Sequence, residues 1–444
     1  MASSEKGPEY LPYDQRTQPP LVIDDYPRTK LRTPVRPLVR RPLTLSERTG
    51  PTGLEKKLPM GPADMSRAVP GAPPAMGQHI EVTGQVLDED DAPVPGAVLE
   101  LWQANTSGRY EHEFDLNDAP IDPNFRGATR LLADANGRFS FRTIKPGAYP
   151  VASSTWEWRA LHIHASIFGG SWMNRLITQA FFPGDPLIAQ DLLLNSIPSP
   201  QARERLIMRM RPTVVRPHGN MLEFEHRFVL RGRSGTPTLI DGDEAPPAKS
   251  GRSFSQMTTG PFFPPHFLEP SLAHIGEYAD RKASGQRIIL TGRILDLNLE
   301  PTVNSVIEAW HADAQGVLRH PLDPGYAGVD PGFCGWGRAN TDKQGWYRFT
   351  TVLPGRQRSD DGTPRLPHVN ALILASGIMR PLLTTVFFGD PREPASDPVL
   401  GAVDPAHRAK LFAVRDPSRD EAGAQAYRFD IVLRGDTELP FFED

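Results

Sequence analysis

The sequence predicts an all-β protein: two related antiparallel β-sandwich domains, an extended N-terminal arm and few short helices. Three observations predict it. Proline (47 residues) and glycine (38) are abundant and spread along the whole chain, which suits many short strands joined by turns better than a helical bundle. Apolar and polar residues alternate with period two, as at Ile80 and Val82 and again at Phe139 and Phe141, the signature of half-buried strands. The chain also repeats itself once.

The repeat sets the domain organisation. "GQHIEVTGQVLDEDDAPVPGAVLELWQANTSGRY" at 77–110 matches "GQRIILTGRILDLNLEPTVNSVIEAWHADAQGVL" at 285–318, an offset of 208. The offset holds through "DPNF" at 122 and "DPGF" at 330, and through "NGRFSFRTIKPG" at 136 and "QGWYRFTTVLPG" at 344. It then shifts by two, so that "LHIH" at 161 faces "PHVN" at 367 and "FFPGDP" at 181 faces "FFGDP" at 387. The ends also agree, "HRFVLRG" at 226 with "YRFDIVLRG" at 427. Two fused sandwich domains are expected, at 77–240 and 253–444. Residues 1–76, rich in proline and arginine, read as an arm wrapped on the body, and 241–252 as an exposed linker. Helices are expected at "SPQARERLIMRM" from Ser199 and "DPAHRAKLF" from Asp404, each opening on an N-cap residue followed by proline.

Composition narrows the function classes. With 444 residues there is ample core for two or three domains. A net charge of -4 is close to neutral for this length, and without a basic stripe it points away from nucleic acid. Neither a signal-peptide layout nor a run of about 18 apolar residues occurs, so no membrane span is expected. The single cysteine, Cys334, permits no internal disulfide and no thiolate metal cluster. The chain reads as cytoplasmic.

The chemistry is concentrated in the first repeat. The stretch "GAYPVASSTWEWRALHIHAS" at 147–166 carries Tyr149, His162 and His164. In a strand, residues two apart share a face, so the two imidazoles stand side by side. The second repeat is an internal control. Tyr110 faces Leu318, Tyr149 faces Gln357, His162 faces His368 and His164 faces Asn370. Each residue alone has an ordinary structural reading: a packed H-x-H strand, a turn tyrosine, a surface tyrosine, or an ion pair for Arg159. Loss of three of the four from a half that keeps its strand pattern marks them as a set. Two phenolates and two imidazoles favour Fe(III) over Zn(II), because displacing a phenolic proton near pKa 10 needs a strongly charged hard ion. Two anionic ligands also offset much of the ferric charge.

"WQANTSGRY", "DPNF", "FRTIKPGAYP", "RALHIH", "RLITQAFFPGDP" and the two "LRG" endings resemble the intradiol dioxygenases, and among them the protocatechuate 3,4-dioxygenases. Positions 1 to about 240 look like the iron-bearing β subunit of those enzymes, and about 253 to 444 look like their α subunit. The resemblance implies one non-haem Fe(III) per chain on Tyr110, Tyr149, His162 and His164. Tyr149 would be the ligand that leaves as the catechol chelates, taking a substrate proton. Arg159 would stabilise the carbanion-like ring that O2 attacks, and Gln179 would be a polar group on the O2 side. Tyr26 would meet a substrate carboxylate, and Gly260 and Pro261 would close the pocket. Four positions depart from the protocatechuate pattern: Val151 for tryptophan, Phe181 for tyrosine, Phe262 for tyrosine and Thr385 for arginine. Losing a direct cation contact to a carboxylate costs about 1–3 kcal/mol, so another catechol or a trihydroxybenzene stands close behind protocatechuate. The expected partners are a small aromatic diol, O2 and further copies of the chain. Three rival readings are a non-catalytic sandwich binding protein, a zinc hydrolase and an extradiol enzyme. Two tyrosines with two histidines disfavour the metal-dependent pair, since those chemistries draw on carboxylate ligands or bases.

Overall fold

The computed structural model describes residues 13–151, 157–212, 221–232, 253–359, 362–392 and 397–443. The expected linker at 241–252 lies outside these. The chain forms two compact units: 1–20, 59–170 and 174–267 make the first, and 21–58, 171–173 and 268–444 the second. The expected arm therefore divides, residues 21–58 grouping with the second unit. Residues 253–267, from the C-terminal repeat, group with the first.

Each unit contains two principal sheets. In the first unit one sheet runs Arg209–Arg211, Leu222–Val229, His79–Leu87, Arg138–Ile144, and the other Ala128–Leu132, Val98–Trp102, His162–Phe168, Leu176–Phe181. Phe139 and Phe141 are buried between exposed Arg138, Ser140 and Arg142, the alternation that a one-sided sheet requires. In the second unit the equivalent strands Arg287–Leu295 and Trp346–Val352 bury Ile288, Leu290, Ile294, Tyr347 and Phe349 in one cluster with Ile307, Val369, Ile373 and Val386 of the other sheet. That shared core is the filling of a sandwich.

The repeat is exact in register over the first strands. His79–Leu87, Val98–Trp102 and Arg138–Ile144 recur 208 residues later as Arg287–Leu295, Val306–Trp310 and Trp346–Val352, whereas His162–Phe168 recurs 206 later as His368–Leu374. Antiparallel pairing holds through most of both sandwiches. The last long strand of each repeat instead returns parallel to its first: Leu222–Val229 beside His79–Leu87, and Gln425–Arg428 beside Arg287–Leu295. A long connection makes that possible.

The two expected helices are shorter than their patterns. Ser199 caps Pro200–Arg205 through Ala202 N, but from Arg209 the chain is already a strand paired with Leu222–Val229. Asp404 caps Pro405–Arg408, which passes into a 3-10 turn at Ala409–Leu411. Tertiary pairing overrides the local helical pattern in the first case. Among the described residues no helix is long and apolar enough to cross a membrane.

Candidate metal centre

The strand His162–Phe168 is buried along its whole length, so both of its faces are covered. Ile163, Ala165 and Ile167 project to one face. His162, His164 and Ser166 project to the other, beside Trp102 and Glu100 on one neighbouring strand and Gln179 and Phe181 on the next. Glu100 is neutralised by Arg130 at 3.0 Å and accepts from Ser166 Oγ, so this end of the face is a closed polar network. The other end holds the candidate donors.

Tyr149 opens a two-residue hairpin strand whose partner is Arg159. Tyr110 arrives on the loop after Val98–Trp102. Asn105 Oδ1 accepts from the amides of Ser107 and Arg109, and Asp115 Oδ2 accepts from the amide of Tyr110 at 2.7 Å. The turn depends on Gly108: its φ is +78°, and a Cβ there would lie 2.2 Å from the carbonyl oxygen of Ala148. This contact brings the two tyrosine loops together.

Four donor atoms converge. Tyr110 Oη lies 3.5 Å from Tyr149 Oη, Tyr149 Oη lies 3.1 Å from His162 Nε2, and His162 Nε2 lies 3.2 Å from His164 Nε2. Metal bonds of about 2.1 Å place neighbouring ligand atoms roughly 3.0 to 3.4 Å apart, between perpendicular and tetrahedral arrangements. The two spacings at His162 Nε2 fall in that range and the Tyr110–Tyr149 spacing lies just above it, so the residues are compatible with one ion. Among the described residues no cluster of three or more histidine, cysteine, aspartate or glutamate side chains could hold a metal.

The protonation states agree with the fit. Burial holds His162 down to about 3 and His164 well below its ordinary value, with the positive charge of Arg159 adding to both. The imidazoles therefore keep their lone pairs at neutral pH. His162 Nδ1 lies 2.6 Å from the carbonyl oxygen of Ala160, which can only accept, so Nδ1 carries the hydrogen and Nε2 presents its lone pair. Burial pushes the Tyr110 phenol well above its ordinary value, the neighbouring Tyr149 adding to the shift. An ion must supply the charge that removes that proton.

Arg159 and Gln179 stand behind the candidate donor atoms and are themselves held. Arg159 Nε donates to Asp191 Oδ2 at 2.9 Å, and Arg159 Nη2 donates to Gln179 Oε1 at 2.5 Å. Gln179 Nε2 faces the Thr258 carbonyl at 3.3 Å, which sets the amide's orientation. Burial alone would lower the Arg159 pKa, but Asp191 outweighs it and keeps the guanidinium charged. Trp102 stacks on His164, ring centres 4.7 Å apart and planes within 6°.

Residues 253–267 supply the rest. Thr178 Oγ1 donates to the Ser255 carbonyl, and the Met257 amide donates to the Ile177 carbonyl, seating the segment along the edge strand. Gly260 then approaches His164, a Cβ there lying 3.5 Å from Cε1. Half-buried Pro261 follows. Phe262 stands 4.9 Å from the Tyr110 ring, and Phe263 meets Trp102 edge-on. Phe181 packs on His162 at 5.4 Å, and half-buried Val151 sits just after the Tyr149 hairpin strand.

Tyr26 and Thr385 belong to the second unit. Tyr26 Oη lies 3.2 Å from Ser376 Oγ. Thr385 pairs with Asn370 as Gln179 pairs with His164, and its hydroxyl is spent on Asn370 Oδ1 at 2.9 Å. Sequence reasoning had not picked out Asp191 or Trp102. A signal existed: Asp191 and Asp397 keep the same offset of 206 that relates Arg159 to Arg365.

Fold and cluster define a sandwich protein with a buried tyrosine–histidine centre in one of two repeats. The Dioxygenase family model (Dioxygenase_C) matches twice, at 57–232 and 259–435. The chain is 44% identical over 227 residues to the protocatechuate 3,4-dioxygenase beta chain of Burkholderia cepacia, covering 51% of this chain and 95% of that one. It is 34% identical over 164 residues to the alpha chain of the Pseudomonas putida enzyme, covering 36% and 78%. These two relatives match different halves. Hydroxyquinol 1,2-dioxygenase of a Rhizobium species is 32% identical over 162 residues, covering 33% of this chain and 53% of that one. The chain belongs to the intradiol ring-cleaving dioxygenase family, its two family domains fused in one polypeptide. Enzymes of this family use non-haem iron.

Proposed function

We propose that this chain opens the ring of a substituted catechol between its two hydroxylated carbons, with Fe(III) held by Tyr110, Tyr149, His162 and His164. Protocatechuate, giving 3-carboxy-cis,cis-muconate, is the first candidate substrate. The observation that carries the reading is the convergence of four donor atoms at 3.1–3.5 Å spacings in the repeat that keeps all four residues. When bound, ferric iron draws electron density from a chelated catecholate and makes the ring reactive toward O2.

The chain's own groups supply the remainder. Tyr149 Oη, 3.1 Å from His162 Nε2, would accept a catechol proton. Arg159, held by Asp191 and Gln179, keeps a fixed positive charge where negative charge develops on the ring. A preorganised cation in a water-poor site needs no reorganisation at that moment. Gln179 orients Arg159 and flanks His164. Phe181, Phe262, Gly260, Pro261 and Val151 would form the wall. Tyr26 and Thr385 remain substrate-contact candidates through the family resemblance alone.

The same reaction on an uncharged catechol or a trihydroxybenzene is a second reading. It is favoured by the apolar rings of Phe181 on His162 and Phe262 beside Tyr110, which offer a substrate carboxylate no partner. Self-association is also proposed, on the family resemblance, since the relatives are subunits of multimeric enzymes; sedimentation of the full chain measures it.

The deciding experiment is a visible absorption spectrum before and after anaerobic addition of protocatechuate, catechol and hydroxyquinol in parallel. A broad tyrosinate-to-iron band that shifts on addition is expected, and the concentration giving half the shift ranks the substrates by affinity. A band unmoved by protocatechuate alone transfers the assignment to the second reading. A protein that stays colourless after ferric loading overturns the iron site.

A further inference from the structure

The second unit keeps the frame of the centre with one of the four candidate ligands, His368, and the frame is not empty. Arg365 repeats Arg159, donating from Nε to Asp397 Oδ2 at 2.8 Å. His368 Nδ1 lies 2.7 Å from the Leu366 carbonyl, as His162 Nδ1 does from Ala160. Its Nε2, which by correspondence would face a metal, lies 2.9 Å from Ser46 Oγ instead.

The group that fills the space is Glu47. Its Oε2 lies 3.1 Å from Arg365 Nη1, and its Oε1 accepts from Asn370 Nδ2 at 3.1 Å and from Ser46 Oγ at 2.7 Å. Oε2 also accepts from the Thr44 amide at 3.0 Å and from the Thr44 hydroxyl. Arg41 Nη1 donates to Asn370 Oδ1. Glu47, Asn370 and His368 are fully buried, with Arg365 1% exposed. Burial alone would raise the Glu47 pKa, but Arg365, Arg41 and His368 outweigh it and hold the carboxyl well below the usual range. Every lone pair of a buried carboxylate has a donor here, the condition under which such a charge is tolerated.

We propose that the dismantled centre of the second unit is a carboxylate socket, filled in cis by Glu47, and that this contact fixes residues 41–49 in the unit. Two features separate a socket from ordinary packing. The donors come from the positions that ligate or flank the ion in the other repeat: Arg365 for Arg159, and Asn370 for His164. The occupant comes from a segment remote in sequence, 318 positions before Arg365. A carboxylate thus replaces an ion as the charge that organises this strand face. The socket does not depend on which catechol the first unit takes, or on whether it takes one.

The test is thermal unfolding of the iron-loaded full-length chain with Glu47→Asp, Glu47→Gln and Glu47→Ala. Tm should fall in that order, Glu47→Ala by on the order of 10 °C, because buried Arg365 Nη1, Asn370 Nδ2 and the Thr44 amide lose the carboxylate they share, Arg365 keeping only Asp397. Formate should then restore part of the loss in Glu47→Ala, saturably, with no recovery from sodium chloride at equal ionic strength and none in Glu47→Gln. Stability equal to the parent, or a loss that formate leaves untouched, overturns the socket. If Glu47→Ala does not fold, the other pair decides. A carboxylate site requires the shorter Glu47→Asp to retain more stability than the isosteric Glu47→Gln, and the reverse order rejects it.

Discussion

Arg159 and Asp191 form a fully buried ion pair, Nε to Oδ2 at 2.9 Å. The same Asp191 oxygen accepts from the Ala160 amide, while the other caps Leu192–Asn195 through Leu194 N. The pair survives as Arg365–Asp397 in the repeat that has lost its tyrosines. It is therefore part of the fold before it is part of any chemistry. Its occupants differ in what else the guanidinium meets: Arg365 has a second carboxylate in Glu47, whereas Arg159 turns to neutral Gln179.

Asp191→Asn should destabilise the chain by about 3–5 kcal/mol, the usual cost of leaving one member of a buried pair uncompensated. Denaturant titration measures it. The folded Asp191 carboxyl sits below its ordinary value; burial opposes this, and Arg159 and the Leu194 amide prevail. A depressed folded pKa stabilises fully above the unfolded value of about 3.9 and is lost as pH falls through the folded one. The gap between parent and variant should stay constant from pH 5 to 8 and narrow below about pH 4. A gap that widens in acid would reject the assignment.

Tyr149→Phe removes one donor atom and keeps the ring that meets Tyr110 edge-on at 5.3 Å. Iron per chain should fall well below one while the metal-free protein unfolds within about 1 kcal/mol of the parent. Elemental analysis beside denaturant melts separates the two effects. Full iron content with an unchanged visible band would remove Tyr149 from the ligand set.

Much of this was legible because the chain carries its own comparison. The candidate tetrad stood out through Leu318, Gln357 and Asn370, and the strands through their alternation. Three things were not. The parallel return of Leu222–Val229 depends on a long connection whose path no local pattern encodes. Glu47 stands in "TLSER", which reads as a capping box and does become one, the Thr44 amide donating to Glu47. Nothing local says that the same carboxylate also meets Arg365, since that pairing spans 318 positions. The third is the local setting of Thr385, which by strand register is the counterpart of Gln179 and whose hydroxyl donates to Asn370 Oδ1.

Gly108→Ala should be far costlier than Gly96→Ala. Both glycines have positive φ, +78° and +67°, so each substitution carries backbone strain of about 1 kcal/mol. At Gly96 a Cβ meets nothing within 4 Å, but at Gly108 it lies 2.2 Å from the Ala148 carbonyl oxygen. The loops bearing Tyr110 and Tyr149 must part to admit it. Gly108→Ala is expected to lose iron and stability together, Gly96→Ala to keep its iron. Equal losses would mean that the loop contact does not position the tyrosines.

Trp102 and Trp310 offer a last contrast, since both are fully buried at equivalent positions. Trp310 Nε1 donates to Thr49 Oγ1 at 3.3 Å, whereas Trp102 Nε1 has no hydrogen-bond partner among the described residues and its ring lies flat on His164. Removing the Trp102 N–H therefore costs no bond. Losing ring area frees the imidazole to tilt, and outer-shell changes of this kind typically weaken metal binding about 10- to 100-fold. Trp102→Phe should release iron to a chelator faster by that order with a modest change in Tm. Trp310→Phe should lower stability through the lost bond and leave iron release as in the parent. If both variants release iron alike, the stack on His164 has no part in holding the centre.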